Sequence, residues 1–194
     1  YEIARGDWSS DVCSSDLKPK VWDELKLKEG NYLVLTLHRP ANVDETKKLE
    51  QTLKEILAHS NGLPVIFPVH PRTSKALKAL DLPKDRLHFI NALSYLEFNY
   101  LVQRAKGVIT DSGGITEETT VLRVPCLTLR DNTERPETIL EGTNELIGTN
   151  PSNIAPALSK LFNDNWKKGN IPKKWDENVG KRIVEILIRK HPSF

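Results

Sequence analysis

The sequence predicts an α/β fold organised around a doubly wound parallel sheet. Six short apolar runs alternate with segments of helical spacing along most of the 194 residues. Most of these runs are continuously apolar instead of alternating, as expected for parallel strands buried on both faces. Regular strand–helix alternation then indicates the doubly wound arrangement.

The strands are read, in order, at Tyr32–Leu37 (YLVLTL), Pro64–Val69 (PVIFPV), Arg86–Ile90 (RLHFI), Gly107–Thr110 (GVIT), Pro125–Leu129 (PCLTL) and Glu145–Ile147 (ELI). Between them, Asp44–His59 places Leu49, Leu53, Ile56 and Leu57 on one helical face. Ser94 and Glu97 have capping-box spacing ahead of Leu101 and Val102. Gly114–Leu122, Pro136–Glu141, Ile154–Phe162 and Asp176–Arg189 complete the helices, with Pro136 suited to a first helical turn. A polar connector, Asn163–Trp175, carries Trp166 and Trp175 and precedes the last helix, whose apolar residues are Val179, Ile183, Ile186 and Leu187. No internal repeat is present.

The first 17 residues stand apart. The chain holds no methionine, even at position 1, and reads as beginning within a gene. Asp7–Leu17 (DWSSDVCSSDL) has neither helical nor strand periodicity. It resembles a translated sequencing-adapter read, the alternative being a natural Ser/Asp-rich linker. Residues 1–17 are therefore expected to be a non-native or disordered leader, and residues 18–194 the folded domain.

Composition narrows the function classes. Hydrophobic residues make up 38% and charged residues 28%, enough apolar material for one core. A net charge of +2 with interleaved signs argues against nucleic acid, which leaves a clustered basic footprint. No apolar run reaches the roughly 18 residues of a membrane span. Cys13 and Cys126 alone form neither a disulfide framework nor a zinc site, so no metal is expected and the reading is cytoplasmic.

In doubly wound sheets ligands bind beyond the carboxyl ends of the strands, so the residues following each run are the candidates. The first run leads into His38-Arg39-Pro40 and the second into His70-Pro71-Arg72. Arginine forks onto phosphate and histidine titrates near neutrality, so each pair is either an anion contact or a surface loop. The fourth run leads into Asp111-Ser112-Gly113-Gly114 and then Ile115-Thr116-Glu117-Glu118. Glycines at a strand-to-helix turn serve turn geometry, or they let a phosphate reach the free N–H groups of the helix. Glu118, one turn in, is placed to accept from ribose hydroxyls; one of Glu117 and Glu118 serves the helix dipole instead. The fifth run leads into Arg130-Asp131-Asn132-Thr133-Glu134-Arg135-Pro136-Glu137, whose charges either pair mutually or, through Arg135, meet a diphosphate. Gly142-Thr143-Asn144 offers another point of close approach.

The segments TLHRPANVD, HPR, DSGGITEE, LRDNTERPE and EGTNELIGT, in this order and spacing, resemble the non-hydrolysing UDP-N-acetylglucosamine 2-epimerases. The resemblance runs from Lys18 to the C-terminus. It implies one Rossmann-like half of a glycosyltransferase-B-like, two-domain architecture, here the C-terminal, UDP-binding half without its N-terminal partner. It further implies that Ser112, Gly113 and Gly114 hold the diphosphate and that Glu118 binds ribose. Arg39, Arg135 and His38 would lie near the phosphates and sugar, His38 being the candidate catalytic group. Phe98 matches the region that meets uracil, or is a core aromatic. His70 matches a histidine near a second, activating UDP-sugar in regulated members. Two departures stand out: Pro40-Ala41 replaces the Arg-Glu usual in regulated members, and Thr116 replaces a glutamine.

The implied reaction inverts C2 of UDP-N-acetylglucosamine by elimination and re-addition of UDP. A base takes the C2 proton as a proton, so no nicotinamide or other cofactor is implied. Stabilisation of the leaving diphosphate belongs to this half, and the proton-transfer carboxylates to the other. The resemblance also implies a homodimeric parent enzyme in cell-envelope polysaccharide biosynthesis, and a segment 176–194 that crosses to the other domain. The alternatives are a glycosyltransferase of the same architecture and a UDP-binding module without catalysis.

Overall fold

The computed structural model describes residues 18–69, 77, 80, 82–83, 85–176 and 178–190. The leader of residues 1–17 and the His70-Pro71-Arg72 segment lie outside these described residues.

The ordered elements are α1 (Lys20–Glu24), β1 (Leu33–Thr36), α2 (Pro40–Val43), α3 (Thr46–His59), β2 (Val65–Val69), β3 (Leu87–Asn91) and α4 (Tyr95–Gln103). They continue with β4 (Gly107–Thr110), α5 (Gly113–Leu122), β5 (Cys126–Thr128), α6 (Pro136–Leu140), β6 (Asn144–Leu146), a 3-10 turn (Pro151–Asn153), α7 (Ile154–Phe162) and α8 (Val179–Lys190). The six strands form one sheet in the order β3-β2-β1-β4-β5-β6, with every pairing parallel. The doubly wound parallel sheet expected from the sequence is thus the fold.

Continuous apolarity has a direct cause here. Successive residues of one strand feed two separate cores, because side chains alternate across the pleat. Leu33, Leu35, Val65, Phe67 and Ile109 enter a core shared with α3 and α7. Val34, Ile66 and Val108 enter the opposite core with Val21, Leu101 and Val102. Helix α3 supplies Leu49, Leu53, Ile56 and Leu57, all buried as its spacing requires. Truncating one such fully buried leucine to alanine costs about 2–5 kcal/mol. On the other face, Trp22 meets Tyr32 and Tyr100 edge-on at 5.7 and 5.3 Å. The buried Tyr32 hydroxyl donates to the Leu101 carbonyl at 2.5 Å, and burial pushes its phenol well above the ordinary range.

Two short α-helices have no counterpart in the sequence reading. Helix α1 is five residues long and α2 only four, too short for a 3.6-residue period to register. The Ser94–Glu97 capping box that starts α4 forms as expected: the Glu97 amide reaches Ser94 Oγ, and the Ser94 amide donates to Glu97 Oε2 at 3.0 Å.

The connector after α7 is fastened to the body. Trp166 Nε1 donates to the Thr143 carbonyl at 2.8 Å, Lys167 Nζ donates to the Ile139 carbonyl, and the Asn170 amide donates to the Glu141 carbonyl at 2.6 Å. Helix α8, by contrast, buries none of its residues. Val179, Ile183, Val184, Ile186, Leu187 and Ile188 are each 44–58% exposed. Among the described residues, no helix is long and apolar enough to cross a membrane.

Candidate nucleotide site at the switch point of the sheet

The strand order reverses between β1 and β4, the neighbours from which the chain winds outward in opposite directions. That is where a doubly wound sheet opens a crevice at its carboxyl edge. β1 delivers His38 and Arg39 there, and β4 delivers Asp111 and Ser112.

Asp111 joins the two loops. It is fully buried, and its carboxylate accepts from the His38 amide (3.2 and 3.1 Å to the two oxygens) and the Arg39 amide (2.9 Å). It also accepts from Asn42 Nδ2 at 3.1 Å and lies 2.8 Å from His38 Nδ1. Arg39 Nε donates in return to the Asp111 carbonyl at 2.9 Å. A buried carboxylate needs such partners, since an unpaired charge there would be costly. The Asp111–Asn42 pairing was not among the sequence-predicted site residues; the only sequence signal for it was the acid that opens DSGG.

The turn after Asp111 starts α5. The Ser112 side chain makes no capping hydrogen bond, and the first turn of α5 carries no acid. The amides at this helix start therefore remain available to an anion. Gly113 and Gly114 do not owe their identity to the fold. A Cβ on Gly113 would come no nearer than 3.7 Å to Arg130 Nη1 and 3.8 Å to Glu134 Oε2. A Cβ on Gly114 would sit 4.0 Å from Ser112 Oγ, an ordinary contact, and neither residue has a positive φ. Two glycines opening a helix cost conformational entropy that this fold does not require.

Charged side chains from the β5–α6 loop surround this turn. The buried Arg130 guanidinium forks onto Glu134, at 2.9 Å from Nη1 and 2.7 Å from Nη2. That fork is the main reason the Glu134 carboxyl is held down at about 2. Arg135 reaches back to α5, where its Nε donates to Glu117 Oε1 at 2.5 Å. Glu118, half-buried on the same helix, is raised by burial and then by the neighbouring charge of Glu117. The arginines of the loop thus pair with acids of the chain.

Of the sequence-predicted site residues, the structure gathers His38, Arg39, Ser112, Gly113 and Gly114 around Asp111, and ties Arg135 to α5 beside Glu118. Phe98 lies on α4 and packs partly buried against the core that also takes Ile115, as a core aromatic does. His70 lies outside the described residues. Gly142 is a correction to the expected point of ligand approach, because the space over it is filled by the chain itself. A Cβ there would come within 2.6 Å of Thr120 and of the Thr138 carbonyl, and the Gly169 backbone stacks on its other side. Among the described residues, no group of three or more His, Cys, Asp or Glu is placed to hold a metal.

The geometry defines a class: a doubly wound α/β domain with an open helix N-terminus and guanidinium groups at its switch point. Comparison with known proteins narrows it. The family model for UDP-N-acetylglucosamine 2-epimerase matches residues 6–188, a span that takes in the Asp7–Leu17 run. The chain belongs to that family. It is 40% identical over 170 residues to a UDP-N-acetylglucosamine 2-epimerase of Methanocaldococcus jannaschii, covering 82% of this chain and 45% of that protein. The crystal structure of the M. jannaschii UDP-GlcNAc 2-epimerase in complex with UDP-GlcNAc and UDP superimposes with a TM-score of 0.69 at 37% identity, covering 89% of this chain and 49% of that one. A Staphylococcus aureus MnaA–UDP co-structure superimposes with a TM-score of 0.75 at 26% identity, over 93% of this chain and 51% of that one. The chain thus spans about half the length of the relatives it matches.

Proposed function

We propose that this chain is the UDP-binding half of an enzyme that interconverts UDP-N-acetylglucosamine and its C2 epimer by elimination and re-addition of UDP. The observation that carries the reading is the start of α5. It has free amides, two glycines that the fold does not require, and arginines from a neighbouring loop, all at the switch point. That combination suits a diphosphate, which needs close backbone approach and positive groups around it. Similarity to an epimerase solved with UDP-GlcNAc and UDP supplies the nucleotide and the sugar.

Within this proposal, Ser112, Gly113 and Gly114 hold the diphosphate, with Arg39 and Arg135 beside it. Glu118 accepts from the ribose hydroxyls and Phe98 borders the base. His38 stands by the bridging oxygen that leaves when the C1–O bond breaks. Taking the C2 proton falls to groups of the other half. Residues 176–194, with the apolar side of α8, cross to that half, and His70 faces any second nucleotide. The parent enzyme is a cytoplasmic homodimer feeding cell-envelope polysaccharide synthesis, and neither a cofactor nor a nucleic acid takes part.

The test is C2 deuterium uptake into UDP-N-acetylglucosamine, followed by NMR in heavy water with the full-length parent enzyme. Exchange at C2 with appearance of the manno isomer is expected. Sugar transfer without exchange at C2 would replace this reading with a glycosyltransferase.

A further inference from the structure

Asp111 is more than the buried acid that joins two loops. Among the described residues, each partner of its carboxylate is a nitrogen able to donate: the amides of His38 and Arg39, Asn42 Nδ2 and the His38 ring. Among the described residues, the charged side chains that face it are His38, Arg39 and Arg130, all of them basic. A carboxylate only accepts, so the 2.8 Å contact from His38 Nδ1 requires the ring proton to sit on Nδ1. The other ring nitrogen, Nε2, belongs to a side chain that is 61% exposed at the rim of the crevice.

Resting on the nucleotide-binding reading, we propose that Asp111 is a positioning residue. It fixes the His38 tautomer and ring orientation so that Nε2 is the atom presented to a bound nucleoside diphosphate. The same contact survives protonation of the ring, with Nδ1–H still donated to Asp111 and Nε2–H turned outward. In that state Nε2 can give its proton to a departing diphosphate oxygen as the sugar–oxygen bond breaks, and the neutral ring left behind keeps the Nδ1–H tautomer. Proton and charge balance without any further reagent.

The hydrogen-bond pattern makes Asp111→Asn a discriminating variant. One of its two terminal atoms becomes an NH2 group. On the Oδ2 side that group would oppose three donors, the amides of His38 and Arg39 and Asn42 Nδ2. On the Oδ1 side it faces His38 Nδ1, along with the longer contact from the His38 amide. The amide therefore turns its NH2 toward the ring, and His38 must answer with a lone pair on Nδ1, which moves the proton to Nε2. Loop and carboxyl-edge geometry are kept while the tautomer is reversed.

The experiment is 15N NMR of the imidazole nitrogens in this chain, followed over a pH series and read on its alkaline plateau. In the unmodified chain, His38 should carry its proton on Nδ1, and Asp111→Asn should shift it to Nε2. UDP should perturb Nε2 in the unmodified chain and bind about tenfold more weakly to the variant. A proton on Nε2 in the unmodified chain overturns the proposal, and this measurement stands even if the variant does not fold. An unchanged tautomer in the variant overturns it as well. If UDP shifts the Ser112 and Gly113 amides but leaves Nε2 untouched, presentation to the ligand is wrong. If no resonance responds to UDP while the tautomers behave as stated, the positioning role is supported and the nucleotide reading fails.

Discussion

Arg135 Nε donates to Glu117 Oε1 across 2.5 Å, so the loop after β5 is tethered to the helix after β4. Both side chains are well exposed, at 48% and 37%. Solvent and salt screen a pair of this kind, and a doubly charged diphosphate competes with it effectively. Arg135→Ala should weaken UDP binding roughly tenfold at low ionic strength and flatten its salt dependence. Glu117→Gln should do the reverse, strengthening binding by roughly threefold, because Arg135 no longer has to leave a partner. Calorimetric titrations at two salt concentrations separate the cases. Equal loss in both variants would make the ion pair itself the binding element.

Glu118 should lower stability while serving the ligand. Burial and Glu117 raise its carboxyl above the ordinary range. A carboxyl raised in the folded state favours folding while it is protonated, and that contribution is lost as pH rises through the raised value. At pH 7 the ionised group therefore opposes folding. Glu118→Gln should raise the melting temperature by about 1–2 °C at pH 7, leave it unchanged near pH 4, and weaken UDP binding. A lower melting temperature at pH 7 would show that the carboxylate is satisfied in the free protein.

Glu134 works with the opposite sign. The Arg130 fork holds its carboxyl down at about 2. Its stabilising contribution is present above the ordinary carboxylate range and disappears as pH falls toward about 2. A carboxyl-carbon NMR titration should give Glu134 a midpoint near 2, and Arg130→Gln should return that midpoint to the ordinary range.

The glycines divide into two kinds. Gly142→Ala forces a Cβ to within 2.6 Å of Thr120 and the Thr138 carbonyl, and should destabilise the fold by about 1–3 kcal/mol. Gly113→Ala meets nothing closer than 3.7 Å and should leave the melting temperature within a degree or two while abolishing measurable UDP binding. Thermal melts and titrations on the same samples check both halves.

On the proposed reading, in which this chain forms one wall of the cleft, it should by itself bind UDP with a dissociation constant of ~10 μM to ~1 mM, about 4–7 kcal/mol. It should not epimerise the sugar nucleotide. Turnover by this chain alone, followed by NMR, would place the proton-transferring base within it.

Most of the sheet was readable in the sequence because burial on both faces makes each strand a short apolar block. Val34 and Leu35 both had to be apolar, whichever way they point. What escaped was local or non-local in character. Helix α2 has four residues and no period to show. The Asp111–Asn42 contact joins positions 69 residues apart, and composition says nothing about which acid meets which amide. Gly142 was misread for a related reason. Its neighbour is Gly169, brought over it by a connector whose path is set by Trp166 and Lys167.

Helix α8 is, in these terms, a helix supported chiefly from within. It has 12 residues, none buried, and Arg182 ties it to Asp176 and the Lys174 carbonyl just ahead of it. A helix of that length is marginal in water without tertiary packing. Its amides should exchange with solvent deuterium orders of magnitude faster than those of β1 and β4, and its helical signal should fade with heating well before the sheet melts. The chain would then show two thermal events, with the tail loosening ahead of the body.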